Sequence, residues 1–471
     1  MRSAAPGVRG AAGPGLRPRA ASPRGRLLVL LTGLVSAAAY VALGVGRFQQ
    51  GEAHSYDLGI FSQSAASWAS GRLPTSGVLG GKRLLGDHFS PLTAVFGPVW
   101  ALWPDPRSLL VAQGVLLGLG AALVARCAVR HLPPGVAAAV AVAVGTAHGA
   151  LAAARFDVHE VCLAVPFLAL SATALLERRQ VAACWWSLPL LLVKEDLGAT
   201  VAAVALVVFW QGRRRLGVLL AVGAVAGVAL ALGTMLAVSP AHDLTRLSTF
   251  SAAPAAGGVS TADRLLLVVT VVVGGGLVWV RSPLALLTVP TLAWRLVSHE
   301  PSYLSSTLHY DLVLVPVTGV ALVDVLRRVP DRRGLLPGTA WGAAACSAVV
   351  TVVLLPPGGL LTAATTWRPA ARVEALRTAS DVIPTGAVVA ADNSSGPYLL
   401  GRAGGGHDVR GWSVDQPLDG LPDWVVLATD RANLGMGAER TRAWLARTRD
   451  LPGVVVTQVG GTAVVHFTGD R

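Results

Sequence analysis

The chain is poor in charge, in lysine and in cysteine. Only 14% of its 471 residues are Asp, Glu, Lys or Arg, against about 25% in soluble globular proteins, so a water-facing surface for a chain of this size cannot be built from it. Four cysteines in 471 residues exclude a disulfide scaffold. Cys127, Cys162, Cys184 and Cys346 lie in or beside apolar runs and read as small apolar side chains. Lysine occurs only at Lys82 and Lys194, so the excess of 39 basic over 26 acidic residues is carried by arginine. Absent too are a P-loop, a G-x-G-x-x-G opening a helix after a strand, an H-E-x-x-H and a C-x-x-C. The arginines are spread over a tail and short loops rather than one domain face, which excludes nucleic acid as a partner.

What the chain has instead is apolar sequence, 53% of it. Residues 1–26 are rich in Arg, Pro and Gly, contain no acid and read as a disordered basic cytoplasmic tail. The run from Leu27 to Gly46 is long enough to cross a hydrocarbon core of about 30 Å. A signal peptide with Ala37–Ala39 as its small-residue site is the alternative, and under either one the chain beyond Arg47 lies outside. Further apolar segments fall near 107–125, 134–153, 160–176, 181–193, 197–211, 217–238, 264–280, 283–297, 310–327 and 338–358, giving about eleven spans. The stretch 89–103 is short, bracketed by prolines and reads as interfacial.

With the N-terminus inside, every predicted inner loop carries basic residues: Arg126, Arg130 and His131; Arg178 and Arg179; Arg213 to Arg215; Arg281; and Arg327, Arg328, Arg332 and Arg333. This is the positive-inside pattern, and it places the region from 359 outside. That region changes character. It has helix-like stretches at 370–381 and 438–449 and strand-like runs at 387–391, 424–428, 453–459 and 463–467, as expected of a small α/β domain. Asn393-Ser394-Ser395 is a glycosylation sequon by pattern, and chance is the simpler account of it.

The same topology collects the unusual polar residues on the outer side. The first outer loop holds His54, Tyr56, Asp57, Lys82, Arg83, Asp87 and His88; later outer ends hold Arg155, Asp157, His159 and Glu160, then Lys194, Glu195 and Asp196, then His299, Glu300, Tyr303, His309, Tyr310 and Asp311. Each cluster also has a local reading: Asp57 as a loop acid or helix cap, Asp87-His88 as the start of the interfacial segment, Arg155, Asp157 and His159 as an ion pair at a helix entrance, His309 as an interfacial histidine. Lys194-Glu195-Asp196 is harder to absorb, because three ionisable groups between two short apolar runs sit close to the membrane, where desolvation is costly. A lysine there is a compact charge suited to a phosphate oxygen. Span interiors carry almost no charge, which weighs against an ion-coupled transporter.

Four ordered motifs carry a resemblance: Tyr56-Asp57-Leu58-Gly59-Ile60-Phe61, Gly86-Asp87-His88-Phe89-Ser90-Pro91, Phe156-Asp157-Val158-His159-Glu160 and Leu192-Val193-Lys194-Glu195-Asp196. They resemble the DUF2079 family of uncharacterised bacterial membrane proteins over about residues 50–330, with Asp392-Asn393 and Asp423-Trp424-Val425-Val426 fitting its tail. The family is similar to GT-C glycosyltransferases, which take sugars from polyprenyl-phosphate donors on the outer membrane face. The resemblance implies an all-α polytopic membrane protein, GT-C-like over 27–358 with a large first outer loop at 47–106, and an extracytoplasmic α/β domain at 359–471. It implies that Asp57 activates the acceptor hydroxyl as general base or metal ligand. Lys194, with Arg83 or Arg155, neutralises the phosphate. Asp87, His88, Asp157, His159 and Asp196 act on the acceptor or on a divalent cation, and Tyr56, Glu195, His309 and Tyr310 bind substrate. No second carboxylate stands beside Asp57, which leaves metal dependence open. The expectation is a plasma-membrane glycosyltransferase whose partners are membrane lipid and a lipid-phosphate-linked sugar donor. The alternatives are a transporter or flippase of a lipid-linked or anionic solute, or a non-catalytic membrane scaffold.

Overall fold

Ser22 starts the first long helix, its hydroxyl oxygen accepting from the Gly25 amide at 3.1 Å, and Pro23 takes the first helical position, where a missing N–H costs nothing. The apolar run then carries the helix from Pro23 to Gln49, with Arg47 in the last turn facing the negative end of the helix dipole. The structure, a computed structural model, describes residues 22–239, 258–330, 334–355, 359, 367–431 and 437–468. The tail expected at 1–26 lies, up to residue 21, outside the described residues, as do Arg332 and Arg333.

Among the described residues, six helices are long and apolar enough to cross a membrane: Pro23–Gln49, Pro106–His131, Pro134–Arg155, Arg214–Val238, His309–Leu326 and Leu335–Leu354. The segments expected at 160–176, 181–193, 197–211 and 283–297 form the shorter apolar helices Glu160–Leu176, Gln180–Leu192, Leu197–Trp210 and Pro283–Val297, and the one expected at 264–280 is helical from Thr261 to Gly274. At 1.5 Å per residue the helix Leu197–Trp210 covers about 21 Å, less than a hydrocarbon core. The eleven apolar segments are therefore helical without all being full-length spans. The stretch read as interfacial is a short helix, Pro91–Leu102.

Burial sorts these helices. His309–Leu326 is enclosed, with 83% of its apolar window buried, whereas Arg214–Val238 has only 22%. The open faces present Leu30, Leu34, Val35, Leu219, Val225 and Leu230, surface that lipid accommodates and water does not. The most extensive helix pairing joins Pro23–Gln49 to Pro106–His131. A Cβ at Gly118 would lie 2.7 Å from the Ala37 amide nitrogen and one at Gly114 2.8 Å from that of Val41, so this small-residue pair lets two backbones touch.

Arginines of three of the predicted inner loops pair with two buried acids. Glu177 faces Arg130 at 2.9 Å, His131 at 3.3 Å and Arg179 at 3.1 Å, while Asp324 accepts from Ser282 Oγ at 2.7 Å and pairs with Arg327 and Arg328.

The C-terminal region is a five-stranded mixed sheet in the order β4-β3-β5-β7-β6, with β3 Val388–Ala391, β4 Asp408–Gly411, β5 Trp424–Ala428, β6 Val454–Val459 and β7 Thr462–Phe467. β3 pairs in parallel with β4 and β5, and β7 antiparallel with β5 and β6. Helices Ala371–Ser380 and Ala438–Arg449 form where helical patterning predicts them. Strand β4 is not visible in the sequence, since Asp-Val-Arg-Gly has no apolar alternation to announce it. A separate core of Trp412, Leu421, Val425, Leu427, Trp444 and Phe467 supports the sheet.

This unit is docked on the first loop after the Pro23–Gln49 helix. The Tyr398 hydroxyl donates to Phe48 O at 3.0 Å and accepts from Ala53 N at 3.1 Å. Arg372 and Arg431 donate to Gly51 O, Gln63 Nε2 donates to Val409 O at 2.6 Å, and Arg402 N donates to Pro104 O at 3.0 Å. Tyr398→Phe leaves the buried Ala53 amide without its acceptor at a cost of about 1–3 kcal/mol, while Phe48 O keeps the Gly51 amide. Thermal unfolding in detergent should show that loss, and an unchanged melting temperature would show that the bonds do not hold the unit in place.

Candidate functional site

The short run between Gln180–Leu192 and Leu197–Trp210 places Lys194, Glu195 and Asp196 side by side, each half-buried. Lys194 Nζ lies 2.9 Å from Glu160 Oε1, and His159 Nδ1 lies 2.8 Å from Glu160 Oε2. Glu160 is 1% exposed and opens its own apolar helix, so two partners converge on one carboxylate that has little access to water. Glu195 turns the other way: its Oε1 meets His88 Nδ1 at 2.7 Å and its Oε2 accepts from Phe89 N at 3.0 Å. That pair ties the far part of the first loop to the Lys194 run.

An aromatic wall continues the network. The His159 ring stacks on His309 at 3.5 Å and 20°, and His309 meets Tyr310 at 4.2 Å. Tyr310 meets Tyr303 edge-on at 5.3 Å, and Tyr303 meets Trp294 the same way at 5.3 Å. Asp57 and Lys194 both lie within electrostatic reach of the Tyr310 hydroxyl. Asp57 itself sits half-buried in a π-helical turn, Ser55–Gly59. Neither ring nitrogen of His309 has a hydrogen-bond partner among the described residues, nor does Asp196 Oδ1. Buried polar atoms left in this state call for a ligand or a strained function.

Electrostatics set the protonation of the network. Burial would lower the Lys194 ammonium, but Glu160, Asp196 and Glu195 outweigh it and hold the group above the usual lysine range. Burial, opposed by Lys194 and reinforced by Glu195 and Glu160, pushes the Asp196 carboxyl from 3.8 up to about 6. Burial pushes His159 down to about 4 against the pull of Glu160, so its imidazole is neutral near pH 7. Burial would raise Glu195, yet the His88 contact, with Lys194 adding, holds it below the usual range.

The structure thus brings His88, His159, Lys194, Glu195, Asp196, His309 and Tyr310 together, with Asp57 beside them. Asp157 faces elsewhere. Its Oδ2 accepts from His54 N at 3.0 Å and lies 3.0 Å from His54 Nδ1, and its Oδ1 lies 3.9 Å from Arg47. Arg83 lies exposed on β2 (Lys82–Arg83), which pairs with β1 (Thr75–Ser76), and none of the contacts that build the network involves it among the described residues. The Arg155 guanidinium reaches Gly359. Asp87 is half-buried at the end of the turn Leu84–Gly86, which packs on Val238 and Ser239. Tyr56 points outward, 50% exposed.

Two features escape sequence reasoning. Glu160 is the hub of the network, although nothing in its motif sets it above its neighbours. Arg295, fully enclosed, pairs with Asp311, and the other Asp311 oxygen lies 2.9 Å from His148 Nε2. This second buried network braces the segment that carries His309 and Tyr310. The near-absence of charge elsewhere in the spans was its available signal. For the divalent cation allowed by the resemblance, the residues do not fit. Glu160 and Glu195 are already engaged by Lys194, His159 and His88. Among the described residues no group of three or more His, Cys, Asp or Glu side chains is arranged to hold a metal.

A helical bundle with apolar outer faces, a polar network at the end away from its paired arginines, and a small mixed sheet docked there define a multi-pass membrane protein with a GT-C-like fold. The chain is similar to ArnT from Cupriavidus metallidurans, whose crystal structure is of the protein bound to undecaprenyl phosphate: the TM-score is 0.58 and the identity 15%, over 93% of this chain and 97% of that one. At that identity the likeness is one of fold. The model of the family described as predicted membrane protein (DUF2079) matches residues 52–254 and 256–445, and the chain belongs to that family. No curated protein matches it.

Two measurements test the network. Lys194→Met leaves Glu160 buried without its cation and should cost about 3–5 kcal/mol of stability; adding Glu160→Gln should recover most of it, and additive losses in a thermal-unfolding cycle would show that the pair is not coupled. The raised Asp196 means that the folded chain binds more protons than the unfolded one between 3.8 and about 6. Its contribution to stability therefore falls as pH rises through that window. Asp196→Asn should melt higher than the wild type at pH 7, with the difference shrinking towards pH 4; a constant offset would disprove the shift.

Proposed function

We propose that the chain transfers a sugar from a polyprenyl-phosphate-linked donor to a hydroxyl acceptor at the outer face of the cell membrane. In this orientation the N-terminus is cytoplasmic and the α/β unit at 359–471 extracytoplasmic. The observation that carries the reading is the polar network around Lys194 between apolar helices, in a fold like that of a protein bound to undecaprenyl phosphate.

The placement of the side chains suits this chemistry. Lys194 has three N–H donors and Glu160 takes one, so others can meet a phosphate oxygen and offset the charge that develops as the phosphate leaves. His159, neutral near pH 7, hydrogen-bonds without adding charge. Tyr310, Tyr303 and Trp294 supply ring faces for the C–H face of a sugar. In the transfer, the acceptor oxygen bonds to the anomeric carbon as the bond from that carbon to the phosphate oxygen breaks. The phosphate departs with the bonding pair and the acceptor proton passes to the Asp57 carboxylate. Asp87 and His88 flank the acceptor side, with His88 oriented by Glu195. Asp157, tied to His54 and Arg47, fixes the entry to the loop.

The test is transfer by the full-length chain in proteoliposomes supplied with a polyprenyl-phosphate-linked sugar. Asp57→Asn should lower turnover by about 10²–10⁴-fold without lowering protein yield, and lipid extracts of a strain carrying it should show an altered glycan or glycolipid. An unchanged profile at normal protein levels would overturn the reading.

A further inference from the structure

The turn that carries Asp57 is short. It is a π-helical turn, Ser55–Gly59, closed by Gly59 N donating to His54 O at 3.2 Å and by Ile60 N donating back to Ser55 O, and it runs into the helix Ile60–Ala69. The first amides of any helical turn have no partner inside it. The Tyr56 side chain is half-exposed and gives the turn little anchorage.

Two of these partners come from one residue of the C-terminal unit. Ser55 N donates to the backbone oxygen of Asn393 at 2.7 Å, and Tyr56 N donates to its side-chain Oδ1 at 2.9 Å. Asn393 is itself locked. The buried carboxylate of Asp392 accepts from Ser394 N at 2.9 Å, Ser394 Oγ at 3.0 Å and Ser395 N at 2.8 Å, and its second oxygen accepts from Ala428 N at the end of β5. The 392–395 turn is thereby fixed to the sheet. Contact with the Asp57 turn is close, since a Cβ at Gly396 would fall 2.2 Å from Ser55 Oγ. Upstream, His54 is pinned to Asp157. Asp57 is thus held between an anchor in the helical bundle and an anchor in the α/β unit.

We infer that Asn393 is a positioning residue that sets the place of Asp57 from the C-terminal unit, so that this unit completes the reaction site as well as covering it. The inference rests on the role given to Asp57 above. The other docking bonds, through Tyr398, Arg372, Arg431 and Gln63, fall before or after this turn; the two Asn393 bonds fall on it, beside a longer one from Ser55 Oγ to Asp392 O at 3.4 Å. Loss of the Oδ1 acceptor leaves the amide next to Asp57 unpaired and the turn free to shift. Asn393→Asp keeps an acceptor oxygen in place.

The experiment compares wild type, Asn393→Ala, Asn393→Asp and, as a docking control, Tyr398→Phe, each as the full-length chain. Amide hydrogen exchange is read over residues 54–60 and, separately, over the sheet at 388–428. Transfer is read in proteoliposomes as turnover and KM. Asn393→Ala should speed exchange at 54–60 by about tenfold, the worth of one hydrogen bond, leave the sheet protected, and lower turnover with little change in KM; Asn393→Asp should restore both. Unchanged exchange at 54–60 in Asn393→Ala overturns the inference, as does faster exchange with full turnover. A larger turnover loss in Tyr398→Phe than in Asn393→Ala, with 54–60 still protected, assigns the effect to docking in general and also overturns it. Should the wild-type chain transfer nothing, the proposed function fails by itself, and the exchange measurement still decides whether Asn393 holds the turn.

Discussion

A lysine and a glutamate forced together among apolar helices set the terms for everything around them. Separating Lys194 from Glu160 would leave an uncompensated charge where water barely reaches, so the segments that carry them must stay in register. Glu160 can then only be the first residue of its helix, and Lys194 can only sit in a break between two short ones. The remaining charges in the break need partners as well. Glu195 finds His88 and the Phe89 amide, which draws the distal half of the first loop onto the bundle. Asp196 receives no hydrogen bond on Oδ1 from the described residues, and burial leaves it a carboxyl that holds a proton in mildly acid conditions.

A second constraint acts from the opposite direction. The proximal half of the same loop leaves the membrane end of the Pro23–Gln49 helix with several backbone groups to satisfy, and the α/β unit supplies them through Tyr398, Arg372, Arg431 and Asn393. The loop is therefore held at its far part by Glu195 and at its near part by the sheet. Between these attachments lie the exposed hairpin of Arg83 and the exposed ring of Tyr56, the parts of the loop with most freedom to meet something outside the protein.

Much of this could be read from residue order. The scarcity of charge identified a membrane protein, the arginines foretold the end where Glu177 and Asp324 collect them, and the isolation of Lys194 between apolar runs marked the centre of the network. The helix and strand patterns of 370–467 located two helices and four of the five strands. What escaped depends on partners far apart in the chain. Glu160 became the hub because Lys194 folds back onto it, and Asp157 turned towards Arg47 and His54 although it stands two residues from His159. The Arg295–Asp311–His148 network joins three helices whose local sequences give no hint of one another. Strand β4 pairs only because β3 offers it an edge. Gly114 and Gly118, by contrast, form a small-residue repeat whose consequence, backbone contact with Ala37 and Val41, was open to reading before any fold was known.

The bonds between Asn393 and the Ser55–Gly59 turn join points 337 residues apart. Because chains are made from the N-terminus, at roughly 5–20 residues per second, the loop emerges roughly 20–70 s before its partner. For most of the time that the ribosome spends on this chain, the loop has no sheet to rest on. A nascent chain released before residue 393 would insert its helices and still lack an ordered Asp57 turn. The two acceptors that Ser55 N and Tyr56 N use in the folded chain are then missing.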